Sequence, residues 1–152
     1  MYKGTLIAVK DMEKSKKFYQ EILNMTVVGD FGANVQLDGG LFLQTLDTWE
    51  SFIGNKEITL GNHAGELYFE VSDIDAFCET LKTRQVEYVH ELLEHRWGQR
   101  VVRFYDPDRH IIEVAEDIAI VIKRFYASGM TDEQVAARMD IPVDYVKACL
   151  HS

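Results

Sequence analysis

GELYFEVSDIDAFCETLK, residues 65–82, has the pattern of a β-strand that ends near Asp73 and of a helix that follows directly. Four apolar residues recur at helical spacing and predict one buried stripe on that helix: Ile74, Phe77, Cys78 and Leu81. Three further strands are predicted, at Val86–His90, Arg100–Tyr105 and His110–Ala115. The segment therefore predicts a module of the order βαβββ.

The same order of elements occurs once before in the chain. Asp11 precedes Asp73 by 62 positions and follows the strand pattern GTLIAV, Gly4–Val9. MEKSKKFYQEIL, residues 12–23, then predicts an amphipathic helix with Asp11 as its N-cap and Asn24 as its stop. Three strands follow, separated by glycine-containing hairpin signals: Thr26–Asp30, Ala33–Leu37 and Leu41–Leu46. The chain thus contains two similar modules, at about residues 1–47 and 63–116.

This repeat predicts an α+β fold, because neither module can bury both faces of a four-stranded sheet alone. We expect the two βαβββ modules to form a curled mixed sheet around a cavity, in one domain of residues 1–116. The alternative is an ordinary α+β sandwich in which the repeated order is a coincidence.

Residues 117–152 break the pattern and predict a C-terminal helical extension. Ile118–Ala127 has helical spacing, Thr131 and Gln134 form a capping-box signature, and Pro142 suits the first turn of a third helix. The last two helices look like a helix-turn-helix. However, residues 130–152 hold two basic residues, Arg138 and Lys147, against four acidic ones, so this surface would repel phosphate. We therefore expect an arm that packs on the core or on a second subunit.

The composition of the chain argues against two classes of binding partner, nucleic acids and membranes. The net charge of −9 argues against nucleic acid, since phosphate binding needs concentrated Lys and Arg. No apolar run approaches the roughly 20 residues that span a bilayer, so we expect no membrane partner. Cys78 and Cys149 lie far apart and form no metal-spaced set, which predicts free thiols and a cytoplasmic location.

Two motifs carry a resemblance to a known family. FYDPDRHIIEV, Phe104–Val114, resembles the last hairpin of vicinal-oxygen-chelate proteins, the superfamily of glyoxalases, bleomycin-resistance proteins and extradiol dioxygenases. VKDMEKSKKFYQEIL, residues 9–23, resembles their first strand-to-helix junction, and the likeness covers about Met1–Glu116 as a glyoxalase-like domain. Arg109 stands where the family usually has glycine in the turn, so a small change of turn type is expected there.

The resemblance implies a metal site at four cavity-facing positions, which correspond here to Gly4, Gln44, Glu66 and Glu113. Gly4 offers no ligand, and Glu66 stands where histidine is common. The remaining set, Gln44, Glu66 and Glu113, is all oxygen. Among the divalent metals that the family implies (Mg²⁺, Mn²⁺, Ni²⁺ or Zn²⁺), this set favours Mg²⁺ or Mn²⁺. The alternative is a site with no metal.

Strand alternation supports placing the two glutamates together. In GELYFEV, Leu67, Phe69 and Val71 form an apolar face, so Glu66 points to the opposite side. By the same rule Glu113 opposes its two strand neighbours. Two carboxylates in a partly apolar cavity repel, which raises the pKa of at least one and yields an acid or a base. A structural alternative is neutralisation of either glutamate by Arg100 or Arg103.

Four more residues are candidates for substrate binding. His95 and Trp97 lie in a predicted loop that could close over a ligand, with Trp97 stacking on it and His95 exchanging a proton. Tyr68 and Phe42 are predicted to line the pocket. In each case the structural alternative is an exposed loop histidine or an aromatic ring that only fills space.

Three functions fit these observations. The first is a lyase or isomerase of the glyoxalase (lactoylglutathione lyase) type, in which Glu113 and Glu66 move a proton on a small oxygenated or thiol-conjugated metabolite, assisted by a metal. The second is a metal-free small-molecule or drug-binding protein of the bleomycin-resistance type. The third is a regulatory module that acts through its helical tail. A homodimer is implied by the resemblance in the first two cases.

Overall fold

A computed structural model describes residues 1–150. The chain divides into two compact units: Met1–Gly65 with Tyr105–Ile111, and Glu66–Phe104 with the chain from Ile112 onward. Each unit contains one four-stranded sheet, and the two sheets have equivalent strand orders, β1-β4-β3-β2 and β5-β8-β7-β6. The repeated βαβββ order and the α+β class predicted from the sequence are confirmed.

The first unit follows its predicted order closely. Its elements are β1 (Thr5–Val9), α1 (Met12–Leu23), β2 (Val27–Asp30), β3 (Asn34–Leu37), β4 (Leu41–Thr45) and α2 (Leu46–Phe52). The Asp11 side chain accepts a hydrogen bond from the Lys14 amide, and Asn24 ends α1 in the left-handed region at φ 53°. Both predicted ends of α1 are therefore confirmed.

Two details of the first unit differ from or add to the prediction. β1 runs parallel to β4, with Ala8 opposite Gln44. Leu46, predicted as the last residue of β4, instead begins α2, a helix that the sequence analysis did not predict. The hydroxyl of Thr48 in its first turn donates to the Thr45 carbonyl at 2.9 Å, which supplies a local reason for the helix to start there.

The turn at residues 105–111 belongs to the first unit. Asp106 shapes this turn, because its Oδ1 accepts hydrogen bonds from the amides of Asp108 and His110 at 2.9 and 2.8 Å. Arg109 has φ 68°, so the expected change of turn type is wrong: the backbone keeps the conformation that favours glycine. The Arg109 guanidinium lies 4.2 Å from the centre of the Tyr105 ring, a cation–π contact that offsets part of the strain.

The second unit contains the second sheet and the helical tail. Its elements are β5 (Glu66–Val71), α3 (Ile74–Lys82), β6 (Tyr88–Glu94), β7 (Arg100–Tyr105), β8 (Ile111–Glu116), α4 (Ile118–Ala127), α5 (Asp132–Met139) and α6 (Val143–Leu150). β6 begins later and runs longer than the predicted Val86–His90, because its antiparallel pairing with β7 continues to Glu94 opposite Arg100. The register of that pairing shifts on both sides of His90.

The tail forms a small core of its own. Thr131 and Gln134 make the predicted capping box, and Asp140 ends α5 in the left-handed region. Six buried residues pack together in it: Val121, Ile122, Val135, Ala136, Met139 and Val146. Within residues 1–150, no helix combines the length and the apolar character needed to cross a membrane. Within the described residues, neither Cys78 nor Cys149 takes part in a disulfide.

Candidate ligand-binding site

One polar side chain from each strand of the second sheet contributes to a single cluster, which we call the polar row. In the order of the strands across the sheet, its members are Glu66 on β5, Glu113 on β8, Arg103 on β7 and His90 on β6. The guanidinium of Arg103 contacts the other three side chains. The cluster thus places the two glutamates on one face of the sheet, where strand alternation predicted them.

The two carboxylates share one positive charge. Arg103 Nε donates to Glu66 Oε2 at 2.7 Å, and its Nη2 donates to Glu113. Glu113 is only 5% exposed, whereas Glu66 lies at the surface. The guanidinium relieves the repulsion that two unpaired carboxylates would feel. Of the two arginines considered for neutralisation, Arg103 takes this role, while Arg100 pairs with Glu116 at 2.7 Å.

His90 completes the polar row through its imidazole ring. Arg103 Nη1 lies 3.2 Å from His90 Nε2, and because arginine can only donate, Nε2 must accept. The proton is then on Nδ1, which donates to the backbone carbonyl of Glu91 at 2.8 Å. This pairing fixes the tautomer of His90.

The local pattern of β7 explains why Arg103 points to this face. Its neighbours Val102 and Phe104 are buried on the other face, where Phe104 packs against Phe77 of α3 at 6.2 Å between ring centres. Alternation then directs Arg103 to the opposite side. β5 shows the same alternation, with Leu67 half-buried and Glu66 exposed.

The loop of residues 95–99, which we call the site loop, joins β6 to β7, and its His95 interacts electrostatically with Arg103, His90 and Glu66 of the polar row. His95 stacks on Trp97 with ring centres 4.2 Å apart. Burial lowers the pKa of His95, and the positive charge of Arg103 lowers it further. His95 therefore favours the neutral form.

Tyr68 is joined to the site loop through Gln99. Trp97 Nε1 donates to Gln99 Oε1 at 3.0 Å, and Gln99 Nε2 donates to the Tyr68 hydroxyl at 3.2 Å. That hydroxyl in turn donates to Glu70 at 2.6 Å. Burial, followed by the Glu70 hydrogen bond, raises the pKa of Tyr68 to about 12, so its hydroxyl stays protonated and able to donate.

The remaining candidates lie in the first unit. Gln44 is 3% exposed, and both ends of its amide are occupied: Oε1 accepts from Asn34 at 2.8 Å and Nε2 donates to Thr48 at 2.6 Å. Gly4 has φ 153°, and a Cβ there would overlap the carbonyl oxygen of Gly40 and lie 2.7 Å from the Phe42 ring. The position that carries a metal ligand in the family is therefore closed to any side chain here.

These contacts do not fit the divalent metal that the resemblance implies. The Gln44 oxygen already accepts a hydrogen bond, and Glu66 and Glu113 are both held by a cationic side chain that would repel a metal ion. No group of three or more His, Cys, Asp or Glu side chains within residues 1–150 has the arrangement of a metal site. The ligand roles of Gln44, Glu66 and Glu113 remain predictions that this geometry opposes.

The sequence did not indicate two members of this site, His90 and Gln99. His90 was not singled out, because β6 was predicted to end there and its pairing with Arg103 depends on the observed register. Arg103 was considered only as a neutralising charge. Gln99 gave no signal beyond its place in the site loop, although it is 5% exposed and donates to the Glu116 carbonyl at 2.8 Å.

Comparison with known proteins agrees with the fold and the repeat. Residues 2–119 match the glyoxalase-like domain family. The lactoylglutathione lyase of Neisseria meningitidis serogroup B is 30% identical over 122 residues, which cover 72% of this chain and 85% of that protein. A probable lactoylglutathione lyase from Synechocystis is 27% identical over 125 residues, which cover 74% of this chain and 92% of the relative.

Solved structures of other proteins share this fold. A protein of unknown function from Agrobacterium tumefaciens strain C58 superposes with a TM-score of 0.71 at 35% identity, covering 77% of this chain and 94% of the other. A glyoxalase-related enzyme from Fulvimarina pelagi, at 19% identity and a TM-score of 0.67, covers 78% and 89% and shares the fold. The match spans both βαβββ modules, and the chain therefore belongs to the glyoxalase-like domain family of the vicinal-oxygen-chelate superfamily.

Proposed function

We propose that this protein binds a small oxygenated or thiol-conjugated metabolite at the polar row, with Arg103 rather than a resident metal supplying the positive charge. The observation that carries the proposal is the contact of one guanidinium with both Glu66 and Glu113. Arginine presents five N–H donors in a planar fork, so Arg103 can hold both carboxylates and still direct a donor at a ligand oxygen.

The same residues suggest what chemistry the site supports. Glu113 is nearly buried and paired with Arg103, a contact that weakens it as a base, so it can accept a proton from a bound ligand only where the ligand draws the Arg103 donor away. Glu66 is more exposed and suits an orienting role through its hydrogen bond with Arg103. His95 offers an imidazole near the polar row, and Trp97 offers an aromatic face. The single O–H of Tyr68 already donates to Glu70, so its hydroxyl can only accept from a ligand.

The test combines metal analysis with ligand binding. Protein purified without chelator is expected to contain far less than one divalent metal per chain. S-lactoylglutathione, the compound after which the lactoylglutathione lyase relatives are named, is the first probe, and its binding should raise the melting temperature of the wild type. Arg103→Leu should abolish that shift, whereas Lys56→Leu, which removes a surface cation elsewhere, should retain it. One tightly bound metal per chain that is lost in Glu113→Gln would overturn the proposal.

A metal-dependent lyase is the second candidate, and the 30% identity to a lactoylglutathione lyase favours it. It predicts lactoylglutathione lyase activity when Mg²⁺, Mn²⁺, Ni²⁺ or Zn²⁺ is supplied. We expect no metal-stimulated turnover, because the Arg103 guanidinium competes with a cation for both carboxylates. Turnover that requires an added metal and survives in Arg103→Leu would establish this candidate instead.

We also propose that the protein forms a homodimer. The homodimer implied by the resemblance is tested by sedimentation equilibrium, with a mass of twice 17.5 kDa as the expected result. A single species at the mass of one chain would contradict it.

A further inference from the structure

The match to the family domain stops at residue 119, so nearly all of the helical tail (α4 to α6) lies beyond it. Two of these helices, α4 and α5, contact the site loop directly. Arg124 Nη2 of α4 donates to the Gly98 carbonyl at 2.7 Å. Arg138 of α5 donates to the Arg96 carbonyl. Trp97 packs against the buried core of the tail. The tail therefore contacts the five-residue site loop through both hydrogen bonds and apolar packing.

The ring of Phe125 packs closely against the backbone of the site loop at Gly98. Gly98 has φ 88°, and a Cβ there would overlap the Phe125 ring, so only glycine lets the loop backbone lie against this ring. The guanidinium groups of Arg124 and Arg138 lie 5.3 and 5.2 Å from the centre of the same ring. Both arginines that donate to the loop thus also lie close to the aromatic ring against which the loop backbone packs.

The conformation of the loop links the tail to the polar row. A tight turn closes it, with the Gly98 amide donating to the His95 carbonyl at 2.8 Å. His95 stacks on Trp97, and Trp97 is bonded to Gln99, which reaches Tyr68. A shift of residues 96–98 would therefore move both His95 and the Gln99–Tyr68 hydrogen bond.

We infer that the helical tail is a positioning element for the ligand site: Arg124, Phe125 and Arg138 hold the site loop so that His95 and Trp97 border the polar row. This inference rests on the proposed function for its effect on ligand affinity. The positioning itself does not depend on which ligand binds. None of the three tail residues is expected to touch the ligand.

Arg138→Ala tests the inference, because Arg138 contacts the loop and is not part of the tail core. The fluorescence of Trp97 is read in a Trp49→Phe background, which leaves one tryptophan in the chain. The pKa of His95 is measured by NMR. We expect a red-shifted Trp97 emission, a rise in the His95 pKa toward its ordinary value, and about tenfold weaker binding of S-lactoylglutathione, the loss of roughly one well-formed hydrogen bond.

Three further variants control the experiment. Arg138→Lys should restore part of each signal, because it keeps the charge near Glu94. Gly98→Ala should produce the same changes from the loop side of the contact. Lys147→Ala, which removes an exposed cation of α6, should change nothing. Unchanged emission and an unchanged His95 pKa in both Arg138→Ala and Gly98→Ala would overturn the inference.

The two proposals fail in different ways. If the wild type binds no probe, the proposed function loses its support, while the fluorescence and the His95 pKa still decide whether the tail positions the loop. If the wild type binds and Arg138→Ala binds equally well with both spectroscopic signals moved, the tail positions the loop but the loop does not serve the ligand, which overturns the link to affinity.

Discussion

The Tyr19 hydroxyl donates a 2.8 Å hydrogen bond to Oδ2 of Asp106, a residue 87 positions further along the chain. Both side chains are buried. Burial raises the pKa of Tyr19 well above its usual value, and the Asp106 charge adds to that rise, so the phenol remains a donor. The bond joins helix α1 to the turn at residues 105–111, which carries one of the two sequence motifs of the family.

We expect Tyr19→Phe to lower the free energy of unfolding by about 2 kcal/mol, because it removes a hydrogen bond to a buried carboxylate without changing the volume of the ring. Urea unfolding followed by circular dichroism measures the loss. Tyr126→Phe, at an exposed tyrosine of α4, is the matched control and should stay within about 0.5 kcal/mol of the wild type. Equal midpoints for Tyr19→Phe and the wild type would contradict the expectation.

Arg103→Leu should lower the free energy of unfolding by about 3 kcal/mol, because it leaves the buried Glu113 carboxylate without a counter-charge. Replacing the carboxylate as well, in Arg103→Leu with Glu113→Gln, should recover part of this loss. The double-mutant cycle is read from urea unfolding, and we expect a coupling energy above about 1 kcal/mol. Additive losses would show that the contact contributes nothing to folding.

Gly4→His restores a side chain at the position where the resemblance implies a metal ligand. We expect no gain in metal content and a loss of at least about 2 kcal/mol in stability, since the new Cβ would overlap the Gly40 carbonyl. Mass spectrometry of the metals and thermal unfolding are the measurements. Gly65→Ala, where a Cβ meets open space, is the control and should leave stability nearly unchanged. A Gly4→His protein that folds normally and holds one metal per chain would refute the steric argument.

The lowered pKa of His95 has a consequence for stability against pH. Below the unfolded-state value of about 6.5 the unfolded chain takes up a proton at His95 more readily than the folded chain does. The contribution of His95 to stability is therefore complete above that value and falls as the pH drops toward the folded pKa. Urea unfolding at pH 7.5 and 5.5 should show a smaller acid-side loss in His95→Gln than in the wild type; identical losses would contradict this.

Local signals were enough to predict most helices and several strands. α1, α3 and α4 begin and end where the sequence analysis placed them, and Asp11 and Asp73 cap the first two through contacts within one turn. Such caps depend on neighbours three residues away, so the sequence contains the whole interaction. The strands β6 and β4 were placed less well, because their ends are decided by pairing partners and by the unpredicted helix α2.

The candidate site, like the fold, was predicted from the sequence only in part. Alternation along β5 and β8 was sufficient to predict that Glu66 and Glu113 share a face, since side-chain direction in a strand is a local property. Tertiary structure alone decided that Arg103 would lie between them, that His90 would join it through an irregular register, and that Gly4 would have no room for a ligand. These outcomes depend on which strands and backbone segments approach one another, and such approaches are set by the packing of residues far apart in the chain.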